Sequence, residues 1–280
     1  MDPSKWMVGY FRGRCVLITG SNQGIGLETA RLLRRCGAHL ILVARNSERL
    51  AQAQASLAAI DAYGADLHAL SLDITDRDAV VAAVDNLPGS RPVDVLINNA
   101  GYAVPGYFQD LPLSLFDDMM NTNFMGAMYL SKALVPGMVA RGSGHVAFVS
   151  SLVGLMGIFG YTAYAPSKFA LRGFAEALRY EVKPHGVIVS VCYPPDTDTP
   201  GHVEEDKSKP LETRAQEGNA KAMSAEAVAA RLVRGLAAKK FHILCNGSSR
   251  FADIMIRLFP GMVRSMFDSD VRKAAPPNRS

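Results

Sequence analysis

From Arg14 onward, apolar runs the length of a buried strand alternate with stretches of helical periodicity, and no hairpin signal falls between them. Arg14-Cys-Val-Leu-Ile-Thr-Gly20 is continuous and apolar, as expected of a strand covered on both faces. It runs through Ser21-Asn22-Gln-Gly24-Ile25-Gly26 into a helical stretch from Leu27. A second strand, His39 to Arg45, precedes an alanine-rich helix from Ser47 to Tyr63. Strands are next expected at 66–72 and 93–97, on either side of a helix over 76–87. A long helix over 112–141 leads to a strand from His145, and later strands fall at 187–192 and, as an edge, 241–245. This alternation predicts an α/β fold built on a doubly wound parallel sheet. No repeat or low-complexity linker divides the chain. A single domain is expected over 1–247, including a loop at 193–223, with an amphipathic tail at 248–280.

The first turn is rich in glycine. Gly20, Gly24 and Gly26 follow a strand and open a helix, spaced G-x-x-x-G-x-G. Without side chains there, backbone N–H groups can approach a pyrophosphate at the positive end of the helix. The same spacing also serves an ordinary tight strand-to-helix turn. The second strand ends Val43-Ala44-Arg45-Asn46, with Arg49 one turn on and no carboxylate at its tip. A carboxylate there would bond a ribose 2′-hydroxyl, whereas a guanidinium suits a 2′-phosphate, so NADP(H) is expected over NAD(H). Asp73-Ile74 and Asn99-Ala100-Gly101 fall at the next two strand ends, on the same rim. Asp73 either accepts from an adenine amino group or caps the helix near Asp76. The Gly101 backbone is placed to lie against the ribose.

Tyr164 and Lys168 stand at i and i+4, on one face of a helix. An ammonium one turn from a phenol favours the phenolate and is expected to draw its pKa down toward neutrality. Ser151 ends the apolar run that begins at His145, where an α/β sheet presents side chains to a ligand. Asn123 lies inside the long helix, where asparagine is a poor choice. It marks either a kink or an amide and a freed carbonyl that hold water near Lys168.

Composition removes several classes. The net charge of +4 is mild and the basic residues are scattered, so nucleic acid is not expected as a partner. The cysteines, Cys15, Cys36, Cys192 and Cys245, are far apart, without C-x-x-C or metal-ligand spacing, and the histidines are equally dispersed. Buried thiols, a reducing cytoplasmic setting and no metal are expected. The first dozen residues read as neither a signal peptide nor a membrane span.

Thr19-Gly-x-x-x-Gly-Ile-Gly26, Asn98-Asn-Ala-Gly101, Asn123, Ser151 and Tyr164-x-x-x-Lys168 occur in one order at consistent spacings. Together they resemble the short-chain dehydrogenase/reductase family over residues 14–200. The resemblance implies a Rossmann-type fold with Tyr164 as acid/base and Ser151 bonding the substrate oxygen. It implies Lys168 on the nicotinamide ribose and Asn123 completing a proton relay through water. It also implies cofactor contacts from Pro194 and Thr197 in the loop after the sixth strand, and a homodimer or tetramer. Pro195 stands where the family usually has glycine, which stiffens that loop and puts its backbone contacts in doubt. Tyr193-Pro-Pro-Asp-Thr-Asp-Thr-Pro-Gly201, Lys209-Pro-Leu-Glu-Thr213 and Leu42-Val-Ala-Arg-Asn46 further resemble the 3-ketodihydrosphingosine reductases. That finer resemblance implies NADPH-dependent reduction of a long-chain keto lipid in sphingolipid synthesis. A broad carbonyl or hydroxysteroid oxidoreductase and a non-catalytic NADP(H)-binding module are the alternatives.

Beyond Ala222 the family pattern fades. Ser224 is placed to cap a helix over 225–238. In the tail, Phe251, Met255, Leu258, Met262 and Met266 fall at helical spacing, and Arg250, Arg257 and Arg264 recur every seven residues, with a break at Pro260-Gly261. The apolar face either packs on the core or another subunit, or lies on a membrane surface.

Overall fold

The computed structural model describes residues 3–60, 63–218 and 221–275. Among these the strands are β1 (Cys15–Thr19), β2 (His39–Ala44), β3 (Leu67–Ser71), β4 (Val95–Asn98), β5 (Gly144–Val149), β6 (Val187–Tyr193), β7 (Thr197–Asp198), β8 (Met223–Ser224) and β9 (His242–Leu244). The helices are α1 (Lys5–Phe11), α2 (Gly24–Arg35), α3 (Ser47–Ala58), α4 (Arg77–Asp85), α5 (Leu113–Met120), α6 (Gly126–Ala140), α7 (Tyr164–Val182), α8 (Pro200–Asp206), α9 (Leu211–Glu217), α10 (Ala225–Ala237), α11 (Gly247–Leu258) and α12 (Pro260–Ala274).

Seven strands form one sheet in the order β3-β2-β1-β4-β5-β6-β9, every pairing parallel. Successive side chains alternate between two buried faces, which is why the strands read as unbroken apolar runs. Val16, Ile18, Leu40 and Leu42 pack on one side with Leu33 of α2 and Leu232 and Leu236 of α10. Leu17, Ile41, Leu96 and Phe148 pack on the other with Leu130 of α6 and Leu171 of α7. The strand order reverses between β1 and β4, so the loops leaving their carboxyl ends part and open a crevice.

Two helices differ from the sequence reading. α3 stops at Ala58 instead of Tyr63, because its buried stripe of Leu50, Ala53 and Leu57 ends there. The long helix over 112–141 is interrupted by a π turn at Asn121–Met125 between α5 and α6. The Asn123 side chain bonds to the backbone of Tyr102 and to Ser167, which holds the turn wide. Ser224 caps α10 by accepting from the Ala227 N–H, as read from the sequence. Asp76, not Asp73, caps α4. The four cysteines are free and buried. No helix of the described residues is long and apolar enough to cross a membrane.

His145, fully buried at the start of β5, is bonded through Nδ1 to the Tyr10 hydroxyl at 2.9 Å and through Nε2 to Ser190 Oγ at 2.8 Å. Burial, helped by Arg14 and Lys239, pushes its pKa down to about 3. The unfolded chain takes up this proton near pH 6.5 and the folded one does not, so the contribution is whole above pH 6.5 and declines as pH falls toward 3. Urea titrations should therefore show the wild type losing roughly 2 kcal/mol more than His145→Gln between pH 7.5 and 5. Parallel losses in the two proteins would mean that His145 is protonated in the fold.

Candidate active site

The crevice above the sheet is a cavity of about 880 Å³ at the carboxyl ends of β1, β2, β4, β5 and β6. Its floor is set where β1 meets β4. Thr19 Oγ1 accepts from the N–H groups of Asn99 and Ala100 at 2.9 and 3.0 Å, and the Asn99 amide donates to the carbonyls of Thr19 and Gly20. Gly20 has a left-handed φ of 64°, and a Cβ there would meet Ala100 Cα at 2.9 Å. α2 rises from this turn without a side-chain cap, whereas α3, α4, α10 and α11 are capped by Asn46, Asp76, Ser224 and Asn246. Its free first-turn N–H groups and the glycine cradle fit a pyrophosphate.

Of the residues predicted for a dinucleotide, Gly20, Asn22, Gly24, Ile25, Arg45, Asn46, Arg49, Asp73, Ile74, Asn99, Ala100, Gly101, Pro194 and Thr197 line the cavity. Ser21 and Gly26 lie behind the wall. The Ser21 hydroxyl accepts from the Val43 N–H at 3.0 Å, and a Cβ on Gly26 would stand 2.2 Å from the Gly20 carbonyl oxygen. Asp73 makes a local turn, accepting from the Thr75 N–H at 2.9 Å and hydroxyl at 2.7 Å, with Arg45 at 3.8 Å. Arg49 Nη1 donates to Gln23 Oε1 at 3.3 Å, and Gln23 itself lines the cavity.

Ser151, Tyr164 and Lys168 meet at the other end of the same cavity. Ser151 follows β5, caps a short 3₁₀ turn by accepting from the Val153 N–H, and lies close enough to the Tyr164 phenol to draw its pKa down. Lys168 is 3% exposed; its Nζ donates to the Val149 carbonyl at 3.1 Å and lies 5.6 Å from the Tyr164 ring centre. Gly101 sits against both Lys168 and Asn123, since a Cβ would approach Nζ within 3.1 Å and Asn123 Oδ1 within 2.8 Å. Asn123 itself does not line the cavity, and its amide is occupied by Tyr102 and Ser167.

The expected lowering of the tyrosine pKa is not what the structure shows. Burial raises Tyr164, Glu205 and Asp196 raise it further, and only the nearby Ser151 side chain opposes them. The ammonium lies beside the ring rather than on the hydroxyl, and burial lowers Lys168 to about 8. Desolvation outweighs the helical pairing.

Beside Tyr164 stands a group that local patterns did not single out. The Tyr161 ring lies 5.6 Å from that of Tyr164, and its hydroxyl donates to Glu205 of α8 and, at 3.2 Å, to Glu217 of α9. These residues are 44 to 56 positions apart in sequence, so no spacing rule could join them.

A family model for short chain dehydrogenases matches residues 14–210. The chain belongs to the short-chain dehydrogenase family. Among curated relatives, a 3-ketodihydrosphingosine reductase of Bos taurus is 42% identical over 79% of this chain and 68% of its own. The enzyme of that name from Dictyostelium discoideum is 35% identical over 91% and 80%. A solved short-chain dehydrogenase from Sphingobium yanoikuyae in complex with NADPH superposes with a TM-score of 0.75 at 25% identity, covering 95% of this chain and 99% of the other.

In the family fold, helix α2 must approach β1 closely at Gly26. Alanine has the better helix propensity by about 1 kcal/mol, but its Cβ would collide with a backbone carbonyl that cannot yield. Overpacking of this kind costs roughly 1–3 kcal/mol, so Gly26→Ala should lower the urea midpoint and weaken dinucleotide binding by calorimetry. A midpoint at or above that of the wild type would show that the approach is slack.

Proposed function

We propose that the protein uses NADPH to reduce the keto group of 3-ketosphinganine to the secondary alcohol, as a step of sphingolipid synthesis. The observation that carries the reading is the meeting of the Ser151 and Tyr164 hydroxyls on a cavity that continues to Arg45 and Arg49. The relatives named for that ketone support the substrate, and the NADPH-bound relative supports the cofactor.

The residues present fit the dinucleotide. Gly20, Gly24 and Ile25 would hold its pyrophosphate, Arg45 and Arg49 the 2′-phosphate, and Lys168 with the Asn99-Ala100-Gly101 turn the nicotinamide end. The bound nicotinamide supplies the hydride that the carbonyl carbon accepts. Ser151 and Tyr164 hold the carbonyl oxygen, and Tyr164 delivers its proton as charge develops there. A phenol pushed upward by burial stays protonated at neutral pH and is a ready donor to an alkoxide, which suits reduction. Lys168, drawn down to about 8, then returns a proton to the tyrosinate at little cost. Asn123 keeps Tyr102 and Ser167 in place around Lys168, leaving its main chain in the wide turn to hold a relay water.

NADPH oxidation with 3-ketosphinganine tests this directly. The expected result is turnover with NADPH preferred over NADH by about an order of magnitude or more. Tyr164→Phe should lower kcat by two to four orders, roughly what general acid catalysis contributes, while NADPH still binds. No oxidation above background with this ketone would remove the substrate assignment, and a Tyr164→Phe enzyme near full activity would remove the mechanism.

The same reading places the protein in the cytoplasm, on a bilayer surface, as a homodimer or tetramer. α11 and α12 expose Phe251, Ile254, Leu258, Phe259, Met262 and Met266 between 51% and 66%, beside Arg250 and Arg264. An apolar stripe flanked by arginines suits an anionic interface. The wild type should float with phosphatidylserine vesicles in a density gradient, and the Phe251→Ser, Leu258→Ser, Met262→Ser protein should remain at the bottom. Equal behaviour of the two would discard the surface contact.

A further inference from the structure

The wall of the cavity beside Tyr164 is negatively charged. Asp196, Glu205 and Glu217 line it, and Asp206 stands behind Glu205. Lys209, its side chain 1% exposed, is the cation buried among them, with Nζ 2.8 Å from Asp206, 3.0 Å from Glu217 and 3.7 Å from Glu205. His202 faces Asp206 at 3.7 Å. Carboxylates thus outnumber the buried cation, and of the three within 4 Å of it Glu205 is the farthest. The Tyr161 hydroxyl and Lys209 both meet Glu205 at Oε1, while Oε2 takes no hydrogen bond among the described residues. A carboxylate held half out of water with one oxygen unbonded is a site for a cation.

Two further observations tie this group to a ligand rather than to the fastening of α8 and α9. The Tyr161 ring lies 5.6 Å from the Tyr164 ring while its hydroxyl bonds the carboxylates, so it links the two. On the wall contributed by α11, Ser249 is 1% exposed and its hydroxyl has no partner among the described residues, an orphan that a polar ligand in the cavity would satisfy. An amine on the carbon next to a carbonyl lies within a hydrogen-bond length of the carbonyl oxygen. Its receptor must therefore stand near the hydroxyl that holds that oxygen, and Glu205 is joined to Tyr164 through Tyr161, which bonds the one and packs on the other.

We infer that Glu205, oriented by Tyr161, receives the ammonium of an α-amino ketone and so selects this class over ketones lacking the amine. The inference rests on the ketone reductase reading and adds the group that reads the substrate's charge. Glu217 and Asp206 hold Lys209 in place, while Glu205 keeps one oxygen for the substrate.

The test compares 3-ketosphinganine with its analogue in which hydrogen replaces the amine. The wild type should favour the amino ketone in kcat/KM by roughly tenfold or more, mostly through KM. In Glu205→Gln the amide oxygen still accepts from Tyr161 but carries no charge, and the ratio between the two ketones should fall by roughly tenfold. A merely structural role would weaken both ketones together and leave the ratio where it was, which would overturn the inference. So would a wild type indifferent to the amine, although reduction of both ketones would leave the reductase reading standing. Failure of both ketones with the wild type would remove that reading, and this one with it.

Discussion

Thr19, Gly20, Gly26 and Asn99 are packed so closely that the crevice has almost no freedom in its shape. The Thr19 hydroxyl joins β1 to the chain leaving β4 through two N–H groups, and the Asn99 amide returns to the Thr19 and Gly20 carbonyls. Gly26 leaves no room for even a methyl group between α2 and this joint. Loops leaving β1 and β4 diverge from here because the strand order reverses, so the knot both opens the crevice and fixes where α2 begins. The helix N-terminus needs no side-chain cap if an anion is to take that place, and α2 has none.

At the opposite end, burial decides the chemistry. Within α7, Tyr164 and Lys168 share a face, yet the pair does not act through direct attraction, since Nζ is committed to the Val149 carbonyl. What burial does is push both groups away from their charged forms, the phenol upward and the ammonium downward to about 8. Burial thereby makes the lysine the stronger acid of the two, so proton transfer from Lys168 to a tyrosinate would run downhill. Glu205 and Asp196 act on the same phenol from across the cavity, so Tyr164 and the negative wall are parts of one electrostatic arrangement.

Much of this was legible from local pattern. The continuous apolar runs of β1, β2, β5 and β6 are what two covered faces demand, and even the short edge strand β9 and the Ser224 cap stood out. Residues at strand ends, such as Asp73, Asn99 and Ser151, could be assigned to one rim because a parallel sheet puts all carboxyl ends together. Three things were not legible, each for a stated cause. The direction of the Tyr164 shift depends on burial, which spacing does not report. A break at Asn123 was one reading of the sequence, but its form as a π turn depends on Asn123 reaching Tyr102 and Ser167, residues outside its own helix. The Tyr161, Glu205, Lys209 and Glu217 group is assembled from three segments that only the folded loop brings together. Ser21 and Gly26 show the reverse error: residues inside a binding motif can serve the packing behind it.

The tail gains its meaning from having two used faces. Toward the protein, Ser249, Ala252, Ile256 and Phe267 complete the cavity wall, and the Gln216 amide of α9 reaches the Phe267 carbonyl at 3.4 Å. Away from it, the large apolar side chains of α11 and α12 stand in the open. A helix pair stabilised only by its inner contacts would gain nothing from phenylalanine, leucine and methionine on its outer face, where each exposed apolar group forgoes the roughly 1.5–3 kcal/mol that burial would bring. An apolar surface thus lies on the outside of the same wall whose inner side closes the chamber that holds Tyr164. One pair of helices thereby closes the chamber on its inner side and presents an open apolar surface on its outer side.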